Sequence, residues 1–298
     1  MTPDAGLPEI DNEALAAVAR LRSRFRGALL GLALGEALAA PAQLTRRGSV
    51  APIRDLIGGG PFDLAPGYWT DDTAMALLLG RSVLECRGCD PADQLSRFRR
   101  WQREGEGSLS GECLGITASV SRALVDGEPS SDLRDGADPL VRVGPLVLWH
   151  YADERALMAD IEPMMRVTCR ESSTLDALNQ FALLMHGALR GRPLKESSSL
   201  ISAGEVDARP ASEASRALAI VVNSMHEAKN WKEAVLRSVN QGGDADVYGA
   251  MTGQLAGALF GVESIPAGWL SMLAGRPKIE ELADALLAEV LVRLDTET

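Results

Sequence analysis

The feature that most constrains the fold of this 298-residue chain is an apolar repeat of three or four residues that recurs along nearly its whole length. This spacing puts apolar side chains on one face of an α-helix, whereas the alternation typical of a half-buried β-strand is scarce. The clearest predicted helices cover residues 14–39, 71–85, 174–191, 214–225 and 279–294. The sequence therefore predicts an all-α fold.

The predicted helices are rich in alanine and glycine, and only 4% of all residues are aromatic. Small side chains let helix axes approach closely, which favours a compact multi-helix bundle with long loops. The segments dense in Gly, Pro, Ser or charge are the predicted loops, at residues 44–68, 104–113, 126–142 and 203–212. None resembles an interdomain linker, so we expect an N-terminal extension (1–23) followed by a single domain (24–298).

The net charge of −11 argues against a general nucleic-acid or anionic-membrane surface, because either partner would be repelled. The apolar runs are short and interrupted by Gly and Glu, so we expect none to reach the roughly 20 residues that cross a bilayer. The first residues include acids and prolines, unlike a signal peptide. We therefore expect a cytoplasmic protein that does not bind membranes. Four cysteines in a chain of this length do not indicate a disulfide framework.

Two acidic motifs precede small-residue helices. The first acidic segment is Thr70, Asp71 and Asp72, in "GYWTDDTAM"; the second includes Asp244 and Asp246, in "QGGDADVYG". Neighbouring residues on a regular helix point about 100° apart, so adjacent aspartates converge on one ion only from a loop or a first helical turn. The glycine pair before Asp244 permits the tight backbone that would turn both second-segment acids inward.

Four carboxylates in one cavity would repel one another by several kcal/mol unless cations separated them. Oxygen ligands without nearby Cys or His select hard ions, so the expected cofactor is Mg²⁺ or Mn²⁺, with Ca²⁺ a further candidate. The alternative is structural. A Thr/Asp pair before a helix can be an ordinary N-cap, and Gly-Gly-Asp can be an ordinary turn.

Three stretches together resemble the ADP-ribosylglycohydrolases, in particular the bacterial dinitrogenase-reductase-activating type: "FRGALLGLALGEALAAPAQ", "LIGGGPFDLAPGYWTDDTAM" and "SVNQGGDADVYGAMTGQLAGALFGVESIPAGWLSML". The resemblance extends from about residue 24 to 290. It implies an all-α hydrolase with a centre of one or two Mg²⁺ or Mn²⁺ ions, held by the two acidic segments. Its expected substrate is an ADP-ribosylated protein, typically modified on arginine, or an ADP-ribose-like small molecule; nucleic acid is not expected.

The chain departs from the family pattern near the expected centre. Glu36 stands where the family has aspartate, and Gln43 stands where it has glutamate. Val247 replaces a hydroxyl residue after the second metal aspartate and offers no oxygen ligand. These changes predict weaker binding of at least one ion.

Further departures fall where substrate would bind. The family's Asp-x-Gly-Asn-Thr corresponds to residues 113–117, where Cys113 replaces the acid and Gly115 is retained. A glycine-asparagine-glycine phosphate loop is replaced by "DGADPLVR", which places Asp138 in a new position. The family's Thr-His becomes Thr168-Cys169, and Tyr248 follows the second acidic segment. Gly115, Asp138 and Tyr248 are the candidate substrate-binding residues. Tyr248 would stack on adenine or ribose; the alternative is an ordinary core or rim tyrosine.

Three functional hypotheses remain. The first is a metal-dependent hydrolase in which Asp246 or Glu36 accepts a proton from water, with Glu112 a further candidate. The second is a catalytically weakened relative that binds ADP-ribose-like ligands or a protein partner. The third is hydrolysis of another N- or O-glycoside.

Overall fold

The computed structural model describes residues 12–46, 49, 51–132, 136–194, 212–226 and 228–296. Over these residues the fold is all-α, which confirms the predicted class. Its β-structure there consists of three isolated bridges, with no sheet. Most of the predicted loop at 203–212 lies outside the described residues.

Helices account for most of the described chain. They are α1 Asn12–Ala39, α2 Asp71–Cys86, α3 Pro91–Glu104, α4 Ala118–Asp126, α5 Asp138–Arg142, α6 Gly144–Trp149, α7 Glu154–Met165, α8 Ser172–Leu189, α9 Glu213–Met225, α10 Trp231–Val239, α11 Ala245–Phe260, α12 Ala267–Met272 and α13 Arg276–Thr296, with 3₁₀ turns at Ala40–Ala42 and Val262–Ser264. The five strongest sequence predictions fall on α1, α2, α8, α9 and α13. The prediction of a loop at 126–142 is wrong at its C-terminal end, because residues 138–142 form α5. Pro139 does not prevent this helix, since proline is tolerated in a first helical turn.

A close helix contact joins α1 and α11 through glycines four residues apart on each helix. The facing pairs are Gly27 with Gly257, Gly31 with Gly253 and Gly35 with Gly249. A Cβ on Gly31 would lie 2.2 Å from the Gly253 carbonyl oxygen, and one on Gly35 would lie 2.0 Å from that of Gly249. Each helix backbone therefore occupies space that a side chain would need in the other.

This pairing is antiparallel, because α1 positions increase as the α11 positions they face decrease. The C-terminal end of α1 consequently lies beside the N-terminal end of α11, where the second acidic segment begins. Trp231 supports the contact from α10, since its Nε1 donates to the Gly253 carbonyl at 2.9 Å. The glycine contact thus determines where the predicted site forms.

The long loop between α1 and α2 is attached at several points. The Asn240 amide bonds the backbone of Ile53 at both the N–H (2.7 Å) and the carbonyl (3.0 Å). Trp269 Nε1 donates to Asp55 at 2.5 Å, and an isolated bridge joins Thr45 to Gly243. These contacts fix the loop against α10 and the second acidic segment.

Residues 12–42 are long and apolar enough to cross a membrane by length and composition, which the sequence expectation of short apolar runs did not anticipate. Their most apolar window is 89% buried inside the fold, as in the core helix of a globular domain.

The α1–α11 contact predicts a strong penalty for a single methyl group. Gly253→Ala should lower the free energy of unfolding by about 1–3 kcal/mol, because the added carbon would overlap the Gly31 carbonyl. Gly268→Ala, in α12, is the matched control, since its Cβ would meet no atom within 4 Å. Urea unfolding of both variants measures the difference; equal stabilities would contradict the close packing.

Candidate active site

The two acidic segments lie at helix starts, as their sequence context indicates. Thr70 is the N-cap of α2, and Asp71 and Asp72 occupy its first turn. Asp244 is the N-cap of α11, and Asp246 lies in its first turn. Neither Thr70 nor Asp244 accepts a capping hydrogen bond on its own side chain, so the ordinary N-cap alternative does not account for either residue.

The acids of the two segments share one electrostatic environment. Asp71 and Asp72 are buried, and desolvation together with neighbouring carboxylates raises the pKa of each well above its usual value. Asp246 is among those neighbours for both residues. Desolvation, Glu36 and Asp244 in turn raise the pKa of Asp246 to about 6. Clustered negative charge of this kind is unfavourable without a cation.

Two local observations fit a hard dication. Asp72 Oδ2 is buried and makes no hydrogen bond. Thr70 Oγ1 lies 2.7 Å from Glu36 Oε1 and 3.1 Å from Asp71 Oδ1, and its single proton can serve only one of them. The oxygen-rich, anionic donor set suits Mg²⁺ or Mn²⁺. Within the described ranges, however, no three acidic, His or Cys side chains are already gathered around one ion position.

Glu36, predicted as a catalytic residue, lies in α1 and contacts the start of α2. Its Oε1 accepts from Thr70 N–H at 2.6 Å and from Thr70 Oγ1 at 2.7 Å. Its Oε2 accepts from Thr73 N–H at 2.9 Å and from Thr73 Oγ1 at 2.5 Å. Glu36 thus caps α2 from another helix, an interaction that the local sequence does not reveal.

Gln43 contacts the second acidic segment directly. Its Nε2 donates to Asp246 Oδ2 at 2.6 Å, so a neutral amide stands against a carboxylate where the family pattern has a glutamate. Val247, next to Asp246, is partly buried against the hydrophobic core. The weaker binding predicted for at least one ion stays a prediction, and the hydrogen bond from Gln43 to Asp246 is consistent with it.

Gly115 lies against the first acidic segment. Its φ is +88°, and a Cβ there would lie 2.0 Å from Asp71 Oδ1 and 2.9 Å from Thr70 Oγ1, so glycine is required. Nearby Cys113 has its thiol pKa raised to about 11 by burial and by Asp71, which keeps it neutral. Glu112, the further base candidate, is exposed to solvent.

The replaced phosphate loop combines an acid with a buried cation. Asp138, at the start of α5, contributes to the raised pKa of both first-segment aspartates. Arg142 is 1% exposed, donates to Thr168 Oγ1 at 2.7 Å and lies over the Phe98 ring. Burial lowers its pKa to about 10, and its Nε and Nη1 make no hydrogen bond. Arg142 is therefore an internal group whose charge interacts with that of Asp138, and Asp138 also belongs to the acidic environment.

Tyr248 is 2% exposed, and its hydroxyl donates to Glu213 Oε1 at 2.6 Å. A Cβ on Gly243 would lie 3.6 Å from that hydroxyl, so the ring packs beside the glycine pair. The predicted stacking on substrate is untested. Glu213 was not among the predicted site residues, because no local pattern pairs it with Tyr248, 35 positions away.

The raised pKa of Asp246 predicts the sign of a stability change. A folded-state pKa of about 6, above the ordinary 3.8, means that the folded protein binds more protons than the unfolded chain. The stability that comes from this extra proton is therefore lost as pH rises from 3.8 to about 6. In chelator at neutral pH, Asp246→Asn should raise the free energy of unfolding by about 1–3 kcal/mol.

Asp284→Asn is the control of opposite sign, because Arg22 and Arg26 bond Asp284 and lower its pKa. This variant should be destabilised at neutral pH. Denaturant unfolding at mildly acidic and neutral pH compares the two. Destabilisation of both variants would show that neighbouring carboxylates do not repel the ionised Asp246 side chain.

Comparison with known proteins agrees with this architecture. The sequence model of the family described as ADP-ribosylglycohydrolase matches residues 17–295. ADP-ribosylarginine hydrolase Tri1 of Serratia proteamaculans is 32% identical, over 88% of this chain and 78% of that protein. ADP-ribosyl-[dinitrogen reductase] glycohydrolase of Rhodospirillum rubrum is 31% identical, over 90% of this chain and 97% of that protein. A solved structure titled "ADP-ribosylglycohydrolase-related protein complex" superimposes with a TM-score of 0.79 at 34% identity, covering 91% of this chain and 99% of that one. This chain belongs to the ADP-ribosylglycohydrolase family of hydrolases.

Proposed function

We propose that the protein removes ADP-ribose from modified arginine side chains and requires Mg²⁺ or Mn²⁺. The observation that supports this most directly is the clustering of buried carboxylates from two distant segments, in which Asp246 raises the pKa of Asp71 and Glu36 raises the pKa of both. Relatives named as an ADP-ribosylarginine hydrolase and a dinitrogen reductase glycohydrolase support the bond type.

The metal would be held by Thr70, Asp71 and Asp72 from the first segment and by Asp244 and Asp246 from the second. When bound, such an ion acidifies and orients a water molecule. Asp246 is the proton acceptor in this proposal, through Oδ1, the oxygen that Gln43 does not contact.

The charge of the site favours an arginine conjugate over an anionic leaving group. A guanidinium remains protonated at all ordinary pH values, so the acidic environment attracts it. The same carboxylates would stabilise positive charge as it develops at C1″ of the ribose. Asp138 adds to this field from α5, and the nearby cation, Arg142, is buried away from solvent.

The second candidate is a protein that binds ADP-ribose-like ligands with little turnover. One contact favours this candidate, the hydrogen bond from the Gln43 amide to Asp246. Gln43 stands where the family pattern has a charged residue, and it occupies one oxygen of the Asp246 carboxylate. Val247 adds to that case, because it supplies no oxygen.

The two candidates are distinguished by incubating the protein with an ADP-ribosylarginine peptide in Mn²⁺, in Mg²⁺ and in chelator. Free ADP-ribose should appear only with metal, and serine-linked peptide should be cleaved more slowly. Asp244→Ala and Asp246→Ala should each reduce turnover at least about 100-fold. Asp153→Ala is the control, because Asp153 caps α7, outside the acidic cluster.

Turnover in chelator, or undiminished turnover in the Asp244 and Asp246 variants, would reject the metal mechanism. Saturable binding of ADP-ribose by a wild type that cleaves neither peptide would select the binding protein instead.

Restoring an oxygen ligand should strengthen metal binding. Val247→Thr should raise Mn²⁺ affinity about 10-fold, the scale on which changes close to a metal alter affinity. Val222→Thr, at another partly buried position packed on the core, is the matched control and should leave affinity unchanged. Titration calorimetry measures both, and unchanged affinity in Val247→Thr would remove Val247 from the metal's surroundings.

A further inference from the structure

We infer that Glu36 is a positioning residue that sets the geometry of the first acidic segment, and that it is not the proton acceptor. This inference rests on the proposed metal-dependent function, which it deepens by assigning a role to a buried acid in α1. Glu36 is 3% exposed, and its partners all come from the start of α2.

The hydrogen bonds of Glu36 use its whole accepting capacity. A carboxylate offers about four lone-pair positions, and each Glu36 oxygen accepts two hydrogen bonds. The donors are the backbone N–H and the hydroxyl of Thr70, and the same two groups of Thr73. No lone pair remains to take a proton from water, so a base at this position would first have to break contacts that hold α2.

The contacts also supply the helix start that α2 lacks locally. The first N–H groups of a helix need acceptors from outside it, and the Thr70 side chain makes no capping bond. Glu36 accepts from Thr70 N–H and Thr73 N–H instead. Asp71 and Asp72 lie between these two anchored residues, so Glu36 fixes the backbone from which both carboxylates project.

The Thr70 hydroxyl is oriented by the same residue. With its proton directed to Glu36 Oε1 at 2.7 Å, its oxygen lone pairs are left for a cation beside Asp71 Oδ1, which lies 3.1 Å away. Groups that orient metal ligands commonly change metal affinity 10- to 100-fold when they are removed, while the reacting groups stay in place. A positioning role therefore predicts that loss of Glu36 weakens metal binding but leaves kcat at saturating metal close to wild type.

Glu36→Gln tests the inference, because it keeps the shape of the side chain and replaces one acceptor by a donor. The variant should bind Mn²⁺ at least about 10-fold more weakly by titration calorimetry. At saturating Mn²⁺ its kcat and the pH dependence of kcat should return close to wild type. In chelator, hydrogen exchange at the Thr70 and Thr73 amides should be faster.

Two further variants complete the experiment. Asp153→Ala removes the side-chain acceptor of Ala156 N–H in α7 and should lower the melting temperature without changing Mn²⁺ affinity. Thr73→Val removes one donor to Glu36 and leaves all the proposed ligands intact; it should weaken Mn²⁺ binding in the same direction, even where Glu36→Gln fails to fold.

Loss of kcat at saturating metal, with Mn²⁺ affinity unchanged, would overturn the inference and make Glu36 the base. A lower melting temperature with unchanged affinity would also overturn it, since the role would then be structural alone. Failure of wild type to cleave any conjugate while these affinity changes are observed would instead reject the proposed function and leave the positioning role standing.

Discussion

The glycine contact between α1 and α11 determines where the two acidic segments lie. Because Gly35 and Gly249 meet backbone to backbone, the end of α1 is brought beside the start of α11. At the C-terminal end of α1, Glu36 contacts the first acidic segment. Gln43, just beyond α1, contacts the second. One helix thus connects the two segments, although they are far apart in sequence. A bulkier residue at the crossing would separate them as well as destabilise the fold.

The buried carboxylates create a second constraint, which is electrostatic. Asp71, Asp72 and Asp246 raise one another's pKa or share neighbours that do, so the arrangement costs folding free energy at neutral pH. The nearby Arg142 donates to Thr168 Oγ1 and lies over the Phe98 ring, and its charge interacts with that of Asp138. A bound dication would replace this repulsion among the carboxylates by attraction to the ion. The same side chains therefore determine both the stability of the metal-free protein and the proposed chemistry.

Local patterns predicted much of this protein, and distant pairings were the part they missed. Helical periodicity located the long helices, and Gly-Gly-Asp and Thr-Asp-Asp located the acids at helix starts, since both signals extend over only a few residues. The short α5 was missed, because five residues are too few to show a period. The Glu36–Thr70 contact spans 34 positions and the Gln43–Asp246 contact spans 203, so only the packed fold reveals them. The departures from the family pattern did mark Glu36 and Gln43 as unusual, but not what they touch.

The two acidic segments are proposed to bind one metal centre. Anomalous scattering from a crystal grown with Mn²⁺ tests it most directly, because the signal locates the ion without reference to any substrate. We expect a peak in contact with Asp71 or Asp72 and also with Asp244 or Asp246. Absence of a peak at saturating Mn²⁺, or a peak bound by only one segment, would contradict it.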